Sequence, residues 1–521
     1  MTAPTVSVII PAFNAADTLR TALGSIQGQS FRHWEAVVVD DGSKDRTGDL
    51  VASMAMSDRR IRYYTISSNR GASAARNAGL AQAQGKYVMF LDADDWIGKH
   101  HLSRLVGLLH GDPRAGSAYS GYTFVTQDGG SEYPIGPKVP RSMFLYLSRA
   151  CPFAIHACLV KRQLVQEANG FDESLVFGED WDLWQRLARR DVKFLSLNAR
   201  SAFYRARRGS LTRACGRLIP DGLTVIRRGH SPDVRVRSAG PEHELGAPAA
   251  GLPSAIYYFV LWATGYLVGA GGGVSRGCIG LPEIDAQGFP ETISADTLLE
   301  GLTYGAGCAR ADLAARWTEL WPALAQALKT LFSGSVVGLN EDVIRREVES
   351  RLARELGPTV APMTFGRTRV VHARVEDTRN AVEIPEGIEV VCAHVSLDDR
   401  PFEVAELPVV PGAMTQQAAA AVLKKHRSIF EPATRQIIRD NPRLLRHLLG
   451  RRTLYFLWDL IHMPRSQWRH RLPHTRAQVR SQWGPPEATQ AYAHISFARR
   501  CCRSPTGQES QKACPRVPGP D

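Results

Sequence analysis

The stretch Lys86-Tyr87-Val88-Met89-Phe90-Leu91-Asp92-Ala93-Asp94-Asp95-Trp96 runs from a short apolar segment straight into three carboxylates. An apolar run of this length, closed by acidic residues, predicts a buried strand. Outward from it the same pattern repeats. Val6 to Ile10 predicts a first strand, Asp17 to Gln27 a helix, Glu35 to Val39 a second strand, Asp45 to Met56 a helix, Ile61 to Ile66 a third strand and Gly71 to Ala83 a helix. Strands alternating with helices predict an α/β domain around a largely parallel sheet, through about residue 215. Open sheets of that kind bind ligands at the carboxyl ends of their strands. Here those ends carry Asp40, Asp41 and Asp92.

Four segments carry candidate chemistry. Side chains alternate along a strand, so Asp92 and Asp94 share a side if the strand continues, and hard oxygen donors suit Mg²⁺ or Mn²⁺. An acidic turn capping a following helix would use the same residues. Asp40-Asp41-Gly42-Ser43 follows Val37-Val38-Val39; a carboxylate at a strand tip can accept from a nucleobase or a ribose, while Gly42 permits the sharp turn. A helix cap at Asp41 or Ser43 is the other reading. In Asn69-Arg70-Gly71-Ala72-Ser73-Ala74-Ala75-Arg76-Asn77-Ala78-Gly79, small residues let a helix start close to a ligand and Arg76 offers a planar donor fork. An ordinary solvent-facing arginine fits that spacing too. Gly178-Glu179-Asp180-Trp181-Asp182-Leu183-Trp184 opens a helix with carboxylates beside tryptophans. It is either a partly desolvated general base against a sugar face or an acidic first turn favoured by the helix dipole. His156, among apolar neighbours, borders this region as an acceptor-site candidate or a core histidine.

In their fixed order these segments resemble family 2 glycosyltransferases. The matching stretches are VSVIIPAFNAADTLRTALGSIQGQSF, VVVDDGSKDRT, NRGASAARNAGLAQAQGKYVMFLDADDW, GFDESLVFGEDWDLWQRL and YRARRGSLT, spanning Val6 to about Arg213. The resemblance implies the GT-A nucleotide-diphospho-sugar transferase fold, a Rossmann-like mixed sheet flanked by helices. It also implies inverting, metal-assisted transfer of a sugar from a UDP-, GDP- or dTDP-linked donor to a hydroxyl of a glycan, lipid-linked or protein acceptor, as in bacterial cell-surface polysaccharide synthesis. By the same resemblance Pro11, Ala12, Asn14, Asp41, Asn69, Arg76 and Asp92 line the nucleotide-sugar site, and Asp94 with Asp95 holds Mn²⁺ or Mg²⁺. Asp180 is then the general base, and Glu179, His156 and Trp181 meet the acceptor. The family often has a histidine where this chain has Tyr204-Arg205-Ala206-Arg207-Arg208, so Arg207 or Arg208 is expected to meet the diphosphate instead.

With 521 residues, 44% hydrophobic and 22% charged, the chain has an ordinary globular composition and room for several domains. Residues 1–215 are expected as the transferase domain, 216–253 as a Gly/Pro/Arg-rich linker, 254–365 as a mainly helical region and 366–412 as a small β unit. Residues 413–480 are expected as a basic helical region and 481–521 as a disordered tail. From Lys424 onward 19 basic residues face 6 acidic ones, an excess equal to the whole formal charge of +13. That field is either a solvated basic tail or the mark of an anionic partner of the carboxyl end, a membrane surface before any specific nucleic acid. Ser254 to Gly273 is uncharged and about 20 residues long, enough for a buried helix or a membrane segment. Nine scattered cysteines and a start without a basic leader are expected of a cytoplasmic protein with reduced thiols. Two other classes remain open: a nucleotide-sugar-binding scaffold without turnover, and a membrane or nucleic-acid binder driven by the basic end.

Overall fold

The computed structural model describes residues 3–126, 132–206, 215–272, 290–308, 310–332, 340–356, 363–374, 388–397 and 400–408. Strands β1 (Val6–Ala12), β2 (Trp34–Asp40), β3 (Ile61–Thr65) and β4 (Tyr87–Phe90) alternate with helices α1 (Leu19–Gln27), α2 (Thr47–Ser57) and α3 (Ala72–Gln82). β1, β2 and β4 are buried on both faces, which is why they read as continuous apolar runs without alternation. They lie parallel in the order β3-β2-β1-β4. Parallel pairing sends every carboxyl end to one edge, setting Ala12 beside Asp40 and Ile9 beside Phe90.

Beyond β4 the simple alternation stops. The chain continues through β5 (Trp96–Ile97), α4 (His101–Gly111), β6 (Ala115–Val125), β7 (Glu132–Ile135), α5 (Met143–Leu147), β8 (Cys158–Lys161), α6 (Arg162–Glu167), α7 (Glu179–Arg189) and β9 (Lys193–Arg205). These strands extend the sheet as β4-β8-β6-β9-β5, with β7 on β6. β8 runs antiparallel to β4 and β6, and β5 antiparallel to β9. The sheet is mixed, and the short β5–β9 pair draws the acidic loop after β4 against the end of β9.

Residues 216–253, expected as a linker, are integral to this domain. Helix α8 (Cys215–Gly229) occupies much of the segment despite Pro220. The loop after it is held by Arg189, a buried residue whose guanidinium donates to the carbonyls of Arg228 at 2.7 Å and Ser231 at 2.9 Å. Arg228 and Arg235 both pair with Asp172 and with the wholly buried Asp182 of α7. The glycines, prolines and arginines that suggested a free linker are the donors and turns of a clamp, because buried carboxylates need these partners.

The helical region follows as α9 (Leu252–Gly269), α10 (Glu291–Ala306), α11 (Arg310–Ala315), α12 (Trp317–Phe332) and α13 (Glu341–Glu355). By length and composition alone the stretch Ala249–Gly269 could cross a membrane, yet 67% of its most apolar window is buried inside the protein. The reason is a close crossing with α10. A Cβ on Gly265 or Gly269 would lie 2.3 or 2.5 Å from the carbonyl oxygens of Leu298 and Leu302. On Gly301 or Gly305 it would lie 2.1 or 1.9 Å from those of Trp262 and Tyr266. Two glycines four residues apart on each helix therefore let the backbones touch.

The chain divides into two compact units, residues 1–371 with 385–392 and residues 372–384 with 393–521. Short strands β10 (Met363–Phe365), β11 (Thr368–Arg374), β12 (Val390–Leu397) and β13 (Arg400–Pro408) fall where a β unit is expected, and β10 and β11 form an antiparallel hairpin. The basic region 413–480 and the tail 481–521 lie outside the described residues.

Backbone atoms cannot move aside as a side chain can, so Gly305→Ala is expected to cost about 1–3 kcal/mol or more. Gly107→Ala is the control: it lies within α4 with no atom near the added methyl, and about 0.4–1 kcal/mol of stabilisation is expected. Urea unfolding of the two variants reads both signs.

Candidate active site

The acidic segments meet through one arginine. Arg76 lies on α3 with its side chain only 4% exposed. One terminal nitrogen donates to Asp92 Oδ1 at 2.7 Å, and the other to Glu179 Oε1 at 2.6 Å. The end of β4 and the start of α7 are thus tied by a single planar fork, although 87 positions separate Asp92 from Glu179 in the chain. Flanking carboxylates hold the Arg76 guanidinium firmly protonated against its burial.

Asp180 follows Glu179 on the first turn of α7. Gly178 turns the chain into the helix at φ 71°, a conformation that costs a Cβ-bearing residue energy. Asp180 Oδ1 accepts from Trp181 N at 2.7 Å, and the helix dipole also favours its ionised form. Burial and the Glu179 charge outweigh these effects and the Arg76 charge, raising the Asp180 carboxyl to about 7. A carboxyl poised there accepts a proton near neutrality.

In the loop after β4, Asp92 and Asp94 remain partly exposed. Asp95 does not share their setting. It is 2% exposed, accepts from Arg205 N at 2.8 Å and lies 3.1 Å from His156 Nδ1. Arg205 also donates through Nε to the Asp94 carbonyl at 2.9 Å and lies over Trp96, 4.7 Å from the ring centroid. The β4–β5 loop is therefore held from below by Asp95 and from the side by Arg205. Burial raises the Asp95 carboxyl, and the Asp95 charge, ahead of those of Asp92 and Asp94, raises His156 against its own burial.

At the other end of the same edge, the loop after β1 meets the loop after β2. Asn14 N donates to Ser43 Oγ at 2.9 Å and Lys44 N donates to Asn14 Oδ1 at 2.8 Å, with Asn14 at φ 48°. Asp41 N donates to the Ala12 carbonyl. The Asp41 carboxylate accepts from Arg70 N at 2.9 Å and Gly71 N at 2.7 Å, which fixes the loop entering α3. Asn69 is exposed there, and Phe13 is 39% exposed after Pro11 and Ala12. A shallow polar rim with one free aromatic face suits a nucleoside.

Residues 7–165 match the family model described as Glycosyl transferase family 2. The chain is 39% identical over 126 residues to the putative teichuronic acid biosynthesis glycosyltransferase TuaG of Bacillus subtilis, a match covering 24% of this chain and 50% of that one. It is 34% identical over 221 residues to the glycosyltransferase GlyA of Streptococcus pneumoniae, covering 40% and 31%. The chain thus spans about half the length, or less, of these curated relatives. Among solved structures, the mannosyltransferase PcManGT of Pyrobaculum calidifontis, in complex with GDP-Man and Mn²⁺, is 21% identical with a TM-score of 0.39, covering 64% of this chain and 89% of that one.

Within this mixed sheet flanked by helices, part of which matches the family model, the structure corrects four expectations. His156 is wholly buried beneath the acidic loop and Trp181 is 4% exposed; both lack the open face an acceptor contact needs. Trp181 Nε1 donates to the Leu147 carbonyl at 2.6 Å and serves to fix α7. Asp95 is turned inward, away from any shared metal, because His156 and Arg205 take its carboxylate. Asp41 is 3% exposed with its carboxylate on two main-chain amides, so it shapes the nucleotide loop from beneath. Pro11, Ala12, Asn14, Asn69, Arg76, Asp92, Asp94, Glu179 and Asp180 lie along one edge of the sheet. Arg207 and Arg208 lie outside the described residues. Arg205 and Phe13 are additions to the expected set, Arg205 having been overshadowed by the two arginines after it.

Removing Arg76 leaves two carboxylates facing each other without a counter-ion. Asp92 is 30% exposed, so water screens part of the repulsion, and Arg76→Ala is expected to cost roughly 2–4 kcal/mol. Added salt should shrink the deficit by screening the two charges. Urea unfolding at low and high salt measures it.

Proposed function

We propose that this chain is an inverting glycosyltransferase that moves a sugar from a nucleotide-sugar donor to an acceptor hydroxyl in the synthesis of a cell-surface glycan. The Arg76 bridge carries the reading, since it puts the carboxylates after β4 and a carboxyl titrating near 7 into one cluster. The names of the relatives TuaG and GlyA agree with that class of reaction. A scaffold that only binds nucleotide-sugars has no use for a raised Asp180.

Asp94, assisted by Asp92, presents hard oxygens where a cation could be shared with a diphosphate. Among the described residues no group of three His, Cys, Asp or Glu side chains is arranged to hold a metal unaided, which fits Mg²⁺ or Mn²⁺ held jointly by protein and substrate phosphates. Such an ion supplies Lewis-acid stabilisation of the negative charge that develops on the leaving nucleoside diphosphate. The protein does the rest. The rim formed by Asn14, Asn69 and Phe13 binds the nucleoside, Arg76 keeps Asp92 and Glu179 in place, and Asp180 takes the acceptor proton as the hydroxyl attacks opposite the leaving group. Attack on that face inverts the anomeric carbon. Among the described residues, the thiols of Cys151 and Cys158 are poor nucleophiles: burial pushes Cys151 well up and Cys158 up to about 12.

Asp180→Asn is expected to lower kcat for sugar transfer by about 10²–10⁴-fold, and Asp94→Asn to abolish stimulation by Mn²⁺. Because the ionised form of Asp180 is the active one, kcat/KM should rise about tenfold per pH unit below about 7 and flatten above it. A flat profile, or full activity in Asp180→Asn, sinks the assignment. These are read as nucleoside diphosphate release from a panel of UDP-, GDP- and dTDP-sugars.

The basic excess after Lys424 supports a cytoplasmic chain resting peripherally on the anionic inner face of the membrane. Anionic lipid vesicles should sediment the full chain at low salt and release it at high salt; equal retention on neutral vesicles would refute that location.

A further inference from the structure

We propose that α9, which lies beyond the family match, supplies an acceptor subsite: an aromatic platform of Trp262 and Phe177 that takes a pyranose ring of a glycan acceptor. The inference rests on the transfer reaction proposed above. Phe177 stands three residues before Asp180, and its ring lies 28° from parallel to Trp262 with centroids 6.3 Å apart. Phe259, one turn earlier on α9, packs against both Phe177 and Trp181, with centroids 6.2 and 5.8 Å away. Trp262 also meets Tyr266 at 5.5 Å and Tyr304 at 6.3 Å. Tyr304 meets Tyr204 at 6.5 Å, and the charges of Asp95 and Asp94 help burial to push the Tyr204 hydroxyl well up. A continuous line of rings therefore runs from the residue opening the Asp180 loop to the acidic loop after β4.

Core packing accounts for most of this line but not for its middle. From Phe259 to Gly269 every residue of α9 is buried except Trp262, and Phe177 beside it is also partly exposed. A long apolar helix that closes every neighbouring position yet leaves its one tryptophan partly exposed, in ring contact with the Phe177 that stands three residues before Asp180, offers indole surface with a polar edge. That is the surface on which the C–H face of a sugar ring stacks while its hydroxyls stay wet. A pyranose resting there would hold a hydroxyl toward Asp180, whereas an aliphatic lipid tail would need a groove.

The test uses the full chain with the panel of nucleotide sugars as donors and methyl and p-nitrophenyl glucosides, galactosides, mannosides and N-acetylglucosaminides as acceptor probes. Trp262→Ala should raise the KM for the glycoside at least tenfold while the donor KM moves less than twofold, and Trp262→Phe should restore most of the affinity. Thermal melting of both variants checks that the α9–α10 crossing survives. An unchanged glycoside KM in Trp262→Ala overturns the platform. So does an equal rise in both KM values, acceleration by isoprenyl phosphate but by no glycoside, or donor turnover that no glycoside stimulates. Failure of the wild-type chain to turn over any donor overturns instead the transferase reading on which the platform rests.

Discussion

A buried guanidinium between two carboxylates organises this protein. Arg76 could not occupy its place on α3 without Asp92 and Glu179, since an unpaired charge that deep is prohibitively costly. The two carboxylates in turn could not approach each other without Arg76. The bridge therefore fixes the distance between the carboxyl edge of the parallel strands and the helix that carries Asp180. It leaves that carboxyl buried and close to Glu179, and burial first, with the Glu179 charge, raises its proton affinity into the neutral range.

Support for the bridge comes from outside the region matched to the family. Asp182, two residues after Asp180, is wholly buried and is paired with Arg186 on its own helix and with Arg228 and Arg235 from the segment beyond β9. Asn77, one residue after Arg76, holds the loop before α7 by exchanging hydrogen bonds with Phe171. The start of α7 is thus clamped from three directions. Electrostatic preorganisation of this kind lets a carboxyl accept a proton without moving first.

The helical region enlarges the same theme. Its four crossing glycines bring α9 and α10 into backbone contact, and the resulting pair lays its aromatic side chains against the domain built on the mixed sheet. Phe259 fits over Gly222 of α8, and the Tyr304 hydroxyl bonds that of Tyr122 on β6. An uncharged stretch with the length of a membrane span becomes a wall of the domain because its apolar faces have protein partners. Its glycines were visible in the chain as Gly265-xxx-Gly269 and Gly301-xxx-Gly305, yet nothing in either spacing says which helix answers the other.

What the sequence determined by itself is everything governed by local periodicity and by the order of the acidic segments. Three of the four parallel strands, β1, β2 and β4, came from continuous apolar runs, the turn at Gly42 from its lack of a Cβ, and the carboxylates at strand ends from their positions after those runs. Tertiary structure alone decided which carboxylates stay open. Asp94 and Asp95 are neighbours with the same chemistry, and only His156 and Arg205, 61 and 110 positions further on, turn Asp95 inward. Tertiary contacts likewise turned a Gly/Pro/Arg-rich segment into a clamp and buried His156 and Trp181, which had looked like acceptor contacts. The reason is physical: a residue's propensity is set by neighbours within a turn or two, whereas its burial and proton affinity are set by groups that arrive from elsewhere in the chain.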